Sequence, residues 1–246
     1  MKIIGVIPAR YGSTRFPGKP LVNLQGRPLI QWTIEGAKKS KLLSDLIVAT
    51  DDERIKAAAE AVGAKVAMTA SELPTGSDRI HAAIQNVDCD VVVNIQGDEP
   101  LVTGDLVDRL AQVFVNDPKM DMATLAHPIS EEELQSVNSV KVVLNYNDEA
   151  LYFSRYSIPY SRVKAGDMGT YEGCLKHIGM YAYSKSFLKR FCEAPPALIE
   201  KAESLEQLRA LYLGARIKVI RVKEASLGVD TPEDLVRLEK LLSQGM

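Results

Sequence analysis

Short apolar runs, separated by turns rich in polar residues, glycine and proline, recur along the first half of the chain. Lys2–Pro8 reads as a buried strand, Asp45–Thr50 (DLIVAT) as a second and Lys65–Met68 as a short third. Asp90–Ile95 (DVVVNI) is apolar without interruption, as expected in the middle of a parallel sheet. Between these runs the spacing turns helical. Pro28–Lys39 sets Leu29, Ile30, Trp32, Thr33 and Ala37 on one broad face, and Asp51 or Asp52 caps a helix running to about Val62. Ser77–Asn86 is a further helix after a Pro-Thr-Gly turn. The strand-loop-helix rhythm predicts an α/β fold on a doubly wound, mostly parallel sheet.

Beyond about residue 120 the pattern is mixed. Strands are predicted at Met120–Ala126, Val140–Leu144, Leu151–Phe153 and His177–Tyr183, and helices at Lys185–Cys192, Ser204–Leu213 and Thr231–Leu242. No linker, repeat or low-complexity tract interrupts the chain, so one composite domain over residues 1–246 is expected, with halves at approximately 1–120 and 121–246. Gly166–Gly173 reads as a mobile surface loop.

Composition narrows the function. Hydrophobic residues make up 46% and charged residues 25%, which suits a globular enzyme and not a disordered chain. A net charge of −2 supplies no global field for nucleic acid, so a phosphate ligand has to meet a local group of cations. The three cysteines form no CxxC pair, which points to reduced thiols in a cytoplasm and no structural zinc. The apolar start, MKIIGVIPAR, is too short for a signal peptide or a membrane span, so no membrane insertion is expected.

The strongest local signal is IPARYGSTRFPGKP, Ile7–Pro20, just past the first strand. It carries Arg10, Arg15 and Lys19 together with Gly12 and Gly18. In open α/β sheets ligands bind at that end of the strands, and cations with free backbone N–H groups suit a triphosphate. It is not a P-loop, because five residues separate Gly12 from Gly18 and Pro20 follows Lys19. No GxGxxG follows a strand, which argues against a dinucleotide site. A surface loop with solvated charges is the plain alternative.

This loop resembles the signature of sugar nucleotidyltransferases, and in particular that of the 3-deoxy-manno-octulosonate (Kdo) cytidylyltransferases. The similarity continues, in order, through VATDDERI at Val48, TGSDRI at Thr75, VNIQGDEP at Val93, ALYFSR at Ala150, KHIGMYAY at Lys176, LEQLR at Leu205 and GVDTPEDL at Gly228. It implies a sheet of the nucleotidyltransferase type, with a nucleotide-binding first half and a smaller mixed lobe for sugar-acid binding and homodimerisation. It also implies transfer of CMP from CTP to the anomeric hydroxyl of Kdo, with release of pyrophosphate, in support of lipopolysaccharide synthesis.

The resemblance assigns Asp98 and Asp230 to Mg²⁺. Both lie at loop positions free of competing His or Cys, and Mg²⁺ takes a few hard oxygen ligands while keeping waters and substrate phosphates. Each has a simpler alternative: Asp230 as the N-cap of the last helix, and Asp98 as a turn residue. Arg10, Arg15 and Lys19 are implied to hold the β- and γ-phosphates. With Ser13 in the same loop, Pro8, Ala9, Thr75, Gly76, Ser77, Arg79 and Gln96 are implied around the nucleotide. A capped loop with no ligand is the alternative for the Thr75 segment, where relatives read Ser-Gly-Thr for Thr-Gly-Ser.

Arg155, His177, Tyr181, Glu206 and Gln207 are implied around the sugar acid. An arginine can grip a carboxylate bidentately. Glu206 and Gln207 are alternatively exposed positions on a helix whose Leu205, Leu208 and Leu211 face the core, and His177 a partly buried strand histidine. His81 and His127 read as structural. SIPYSRV, Ser157–Val163, lacks the acidic residue expected after its arginine, which bears on local sugar contacts. Rival readings are a nucleotidyltransferase for another acid or nucleotide, an enzyme for the 8-amino sugar, a non-catalytic sugar-nucleotide sensor and a partner-binding module.

Overall fold

The computed structural model describes residues 1–12, 16–160, 162, 173–223 and 228–243. Residues 166–172 of the loop read at Gly166–Gly173, together with Ser13 and Arg15, lie outside them. The chain forms two compact units, Met1–Gln112 with Ser226–Met246, and Val113–Ala225. The last residues therefore return to the first unit and do not belong with the second half of the sequence. The fold is α/β; the strands of the first unit pair in parallel, and those of the second pair in mixed directions.

In the first unit β1 (Ile3–Ala9) leads through a 3₁₀ turn (Lys19–Leu21) and a small hairpin, β2 (Asn23–Leu24) and β3 (Arg27–Pro28), into α1 (Leu29–Ala37). Then follow β4 (Asp45–Thr50), α2 (Glu53–Glu60), β5 (Lys65–Met68), α3 (Gly76–Ile84), β6 (Val91–Asn94) and α4 (Gly104–Asn116), whose residues from Val113 on are counted in the second unit. β1 pairs in parallel with β4 on one side and β6 on the other, and β4 pairs with β5. The chain thus winds outward through β4 and β5, then crosses back to the far side of β1. Such a reversal opens a crevice at the carboxyl ends of the strands. Ile4, Ile7, Val48 and Val92 are buried to 1% exposure or less, which accounts for the unbroken apolar runs.

Helix α4 matches none of the elements that the sequence pattern predicts, although Val107, Leu110, Ala111 and Phe114 recur at helical spacing and are buried. Asp52, and not Asp51, caps α2 by accepting from the amides of Arg54 and Ile55.

The second unit holds β7 (Met122–Pro128), α5 (Glu131–Gln135), the hairpin β8 (Lys141–Leu144) and β9 (Ala150–Ser154), β10 (Leu175–Ser184), α6 (Lys185–Glu193), α7 (Leu198–Glu203), α8 (Gln207–Tyr212) and β11 (Ile217–Arg221). β7 lies between β11, which is parallel to it, and β10, which is antiparallel. β10 also pairs with β8. The helix expected over Ser204–Leu213 is α8, which begins three residues later; α7, which the pattern does not predict, precedes it and ends at Ser204, whose φ of 53° is left-handed. Arg209 rejoins the two helices across this break by a buried bidentate pair with Glu200, at 2.5 and 2.8 Å. α9 (Pro232–Ser243) completes the first unit.

α1 lies directly against the backbone at Val102. A Cβ added at Gly36 would lie 2.1 Å from the Val102 carbonyl oxygen, and that atom has no rotamer by which to move aside. Gly36→Ala is therefore expected to lower the unfolding free energy by roughly 2–3 kcal/mol in urea titrations, through forced backbone movement.

Candidate functional site

The loop after β1 is closed by Gly18, whose amide donates to the Tyr11 carbonyl at 2.9 Å. Gly18 has a left-handed φ of 71°, and a Cβ there would meet the Tyr11 ring at 3.0 Å. The Arg54 guanidinium covers that ring, 3.6 Å from its centroid. This turn aims Lys19 inward. Its ammonium donates to Asp98 Oδ2 at 2.5 Å and to Asp230 Oδ1 at 3.2 Å. The Lys19 side chain is only 13% exposed, against 31% for Asp98 and 52% for Asp230.

Asp98 follows β6, and Asp230 precedes α9. The Val229 amide donates to the Asp98 carbonyl at 2.9 Å and stitches the two loops together. Beneath them Leu24, Leu29, Val229 and Leu238 form a buried cluster, with Phe16 and Trp32 packed against it. Residues 79 and 211 positions from Lys19 are thus brought onto it by one apolar anchor.

Asp230 does not cap α9. Thr231 does: its Oγ1 accepts from the Asp234 amide at 3.3 Å, while Asp234 Oδ2 accepts from the amides of Asp230 and Thr231 at 3.0 and 2.9 Å. This reciprocal box is made by Thr231 and Asp234, and the Asp230 carboxylate accepts from Lys19. Burial acts to raise the Asp234 pKa, but these hydrogen bonds outweigh it and hold the carboxyl below its ordinary value. The Thr-x-x-Asp spacing is the signal by which the sequence could have given this assignment.

Other predicted positions gather at the same end of the sheet. Thr75 caps α3 by accepting from the Asp78 amide at 3.2 Å and donates to its carboxylate at 2.8 Å. A Cβ on Gly76 would lie 3.7 Å from Pro8 Cγ, and one on Gly97 3.1 Å from the Pro8 carbonyl oxygen. Pro8, Gly76 and the Gln96–Gly97 corner are therefore neighbours. Ala9 and Ser77 are buried, and Gln96 is half-buried with its amide 3.5 Å from Asn94 Oδ1. Arg79 is an internal strut: at 3% exposure it donates to Thr69 at 2.5 Å and to Asp51 at 3.4 Å. Arg10 is exposed at the end of β1.

The acceptor candidates lie in the second unit. The rings of His177 and Tyr181 are 5.4 Å apart, and the Tyr181 hydroxyl donates to Gln207 Oε1 at 3.4 Å. Gln207 is 4% exposed, not an open helix position; Glu206, just before α8, is half-buried. Leu205 and Leu208 are buried as expected, whereas Leu211 is only half-buried. His177 is buried, and desolvation pushes its pKa down to about 3, so the ring is neutral. Burial, and then the charge of Glu206, raise the Tyr181 pKa, so the phenol keeps its proton.

The Arg155 guanidinium donates to the carbonyls of Glu203, Val137 and Ser204 at 2.8, 3.2 and 3.4 Å. Lys141, fully buried, donates in turn to the carbonyls of Ser136 and Arg155 at 2.6 and 2.8 Å. Arg155 is thus a brace for the backbone around α7.

Among the described residues no group of three or more His, Cys, Asp and Glu could hold a metal. Asp98 and Asp230 converge on one cation and offer hard oxygens, a donor set that fits Mg²⁺ with waters and phosphate oxygens completing its shell. No helix among the described residues is long and apolar enough to cross a membrane.

Two outcomes follow for the site's construction. Thr231→Ala should cost about 1 kcal/mol of stability in urea titrations by removing the cap. His177 binds fewer protons folded than unfolded, so its contribution to stability is present above pH 6.5 and is lost as pH falls from there towards about 3. In His177→Gln the urea midpoint should accordingly fall less steeply than in the wild type between those limits.

The cytidylyltransferase family model matches residues 4–217. The 3-deoxy-manno-octulosonate cytidylyltransferase of Bdellovibrio bacteriovorus is 83% identical over 247 residues, covering 100% of both chains. That of Geotalea daltonii is 44% identical over 253 residues, again covering 100% of both. A solved structure of CMP:2-keto-3-deoxy-manno-octonic acid synthetase complexed with CTP superposes with a TM-score of 0.94 at 41% identity, covering 100% of each chain. With its Lys19–Asp98–Asp230 centre at the sheet's carboxyl edge and this similarity over its full length, the chain belongs to the cytidylyltransferase family, among the 3-deoxy-manno-octulosonate cytidylyltransferases.

Proposed function

We propose that the chain transfers CMP from CTP to the anomeric hydroxyl of Kdo and releases pyrophosphate, with Lys19, Asp98 and Asp230 as its catalytic centre. The observation that carries the assignment of the centre is the convergence of two carboxylates from distant loops on one inward-pointing ammonium. The anomeric oxygen attacks the α-phosphorus of CTP as the bond to the pyrophosphate oxygen breaks in line. Such a displacement depends on alignment and charge neutralisation more than on a protein nucleophile.

Asp98 and Asp230 hold Mg²⁺ in this reading. The ion, when bound, neutralises phosphate charge and lowers the pKa of a coordinated hydroxyl. Lys19, with Arg10 and Arg15, binds the β- and γ-phosphates and stabilises the departing pyrophosphate. Pro8, Ala9, Ser13, Thr75, Gly76, Ser77 and Gln96 surround the nucleotide, while Arg79 orders the start of α3 from within.

Tyr181, Gln207, Glu206 and His177 contact the sugar acid, and Arg155 shapes that surface through the carbonyls it holds. A neutral His177 supplies hydrogen bonding and no charge to the acid. The protein works as a homodimer in the cytoplasm and supplies activated Kdo for lipopolysaccharide. Light scattering on the purified protein, which should give twice the chain mass, tests the dimer.

The activity is tested by pyrophosphate release with CTP, Kdo and Mg²⁺, each omitted in turn, and with other nucleotides in place of CTP. Release should require all three and prefer CTP; silence with Kdo and with its 8-amino form would sink the reading. Asp98→Asn should lower kcat at least about a hundredfold while circular dichroism stays that of the wild type. Lys19→Met should raise the KM for CTP, and an unchanged KM would remove Lys19 from the phosphate site.

A further inference from the structure

β7 and β10 lose register between Ile178 and Tyr181. Ile178 faces Leu125 and Tyr181 faces Thr124, so Gly179 and Met180 are extra residues on β10. On a regular strand two residues four apart are separated by about 13 Å. Here the bulge brings the rings of His177 and Tyr181 to 5.4 Å. Bulges re-aim side chains in this way beside functional sites.

The Thr124 side chain sits at the mouth of the bulge, fully buried. Its Oγ1 lies 2.9 Å from the Met180 carbonyl oxygen, 3.1 Å from that of Ile178 and 2.9 Å from His177 Nε2. A hydroxyl has one proton to donate, and a carbonyl has none. With that proton directed to the bulge carbonyls, Oγ1 presents only lone pairs to the imidazole. The ring nitrogen facing it must then carry hydrogen, since two acceptors at 2.9 Å would repel. Phe153, edge-on at 5.0 Å, and Tyr181 flank the ring, and the desolvation they impose keeps it neutral. A neutral imidazole with hydrogen on Nε2 has its lone pair on Nδ1.

We propose that Thr124 is a positioning residue for the sugar-acid site: it holds the β10 bulge and fixes His177 as the Nε2–H tautomer, so that Nδ1 accepts a hydrogen bond from a hydroxyl of the polyhydroxy acid. The ligand half of this inference rests on the reading of His177 as a sugar-acid contact. It assigns the ring to a hydroxyl and not to the carboxylate, because a lone pair repels an anion.

The test uses the full-length protein. Long-range ¹H–¹⁵N spectra report the tautomer of each of its three histidines, and His177→Gln identifies the His177 signal. The wild type at pH 7 should show His177 as a single neutral Nε2–H ring. Thr124→Val should abolish that single pattern and raise the KM for the sugar acid about tenfold, the effect of one lost hydrogen bond, with the KM for CTP unchanged. Thr124→Ser, which restores the hydroxyl, should recover both.

An Nδ1–H or charged ring in the wild type at pH 7 overturns the proposal, and so does a wild-type pattern in Thr124→Val. Should Thr124→Val fail to fold, the wild-type spectrum still decides the tautomer. An unchanged sugar KM in His177→Gln would instead refute the sugar-site reading and the ligand half with it, while the spectra still judge the hold of Thr124 on the ring.

Discussion

The ammonium of Lys19 between the carboxylates of Asp98 and Asp230 is the interaction on which the proposed chemistry of the first unit depends. Two like charges can be held side by side only with a cation between them or with one of them protonated. Lys19 meets that requirement from a third loop. Its inward course follows from the left-handed turn at Gly18 and the closure of that turn onto Tyr11. The apolar cluster under Val229 and Leu24 then sets the distance between loops that the sequence separates widely. Electrostatics thus fixes what must meet here, and packing brings it together.

In the second unit cations do different work. Lys141, Arg155 and Arg209 direct most of their donors to backbone carbonyls or to a buried carboxylate. A cation buried against carbonyls offsets its desolvation through several short hydrogen bonds and locks the backbone supplying them. The segments locked in this way carry Glu206 and Gln207 and flank β9. The polar surface near Tyr181 therefore stands on a rigid support, as geometry-dependent recognition requires.

Much of this architecture was legible in the chain. DLIVAT became β4 with the bounds read from its apolar run, because a buried parallel strand needs continuous hydrophobicity and little else, and KVAM became β5 with the bounds read although both of its ends are exposed. The stripe of α4 was equally visible in Val107, Leu110, Ala111 and Phe114, but a reading led by strands and motifs passes over it. α7 was not legible, since its six residues are too short for a clear helical stripe and it ends at a left-handed Ser204 that residue type does not announce. Among site residues, Lys19, Asp98 and Asp230 could be paired only through resemblance, as no local spacing links them. Arg79 and Arg155 show the converse limit: residue type declares a donor, and only the fold shows the partners it has within the protein, side chains for Arg79 and backbone carbonyls for Arg155. Thr124 offered no signal, because its role exists only where two strands fall out of register.

The cap of α9 has a consequence for how this protein can change. Thr231 and Asp234 close the first turn of the helix by themselves, so the carboxylate at position 230 has no duty in starting it. The proposed chemistry and the helix start are written in adjacent letters of the same short segment, yet they are separable. A lineage could lose the charge at this position through a single codon and keep a folded, abundant protein. Selection on this residue would then answer to its pair with Lys19 and to the proposed reaction, while Thr231 and Asp234 answer to the helix start.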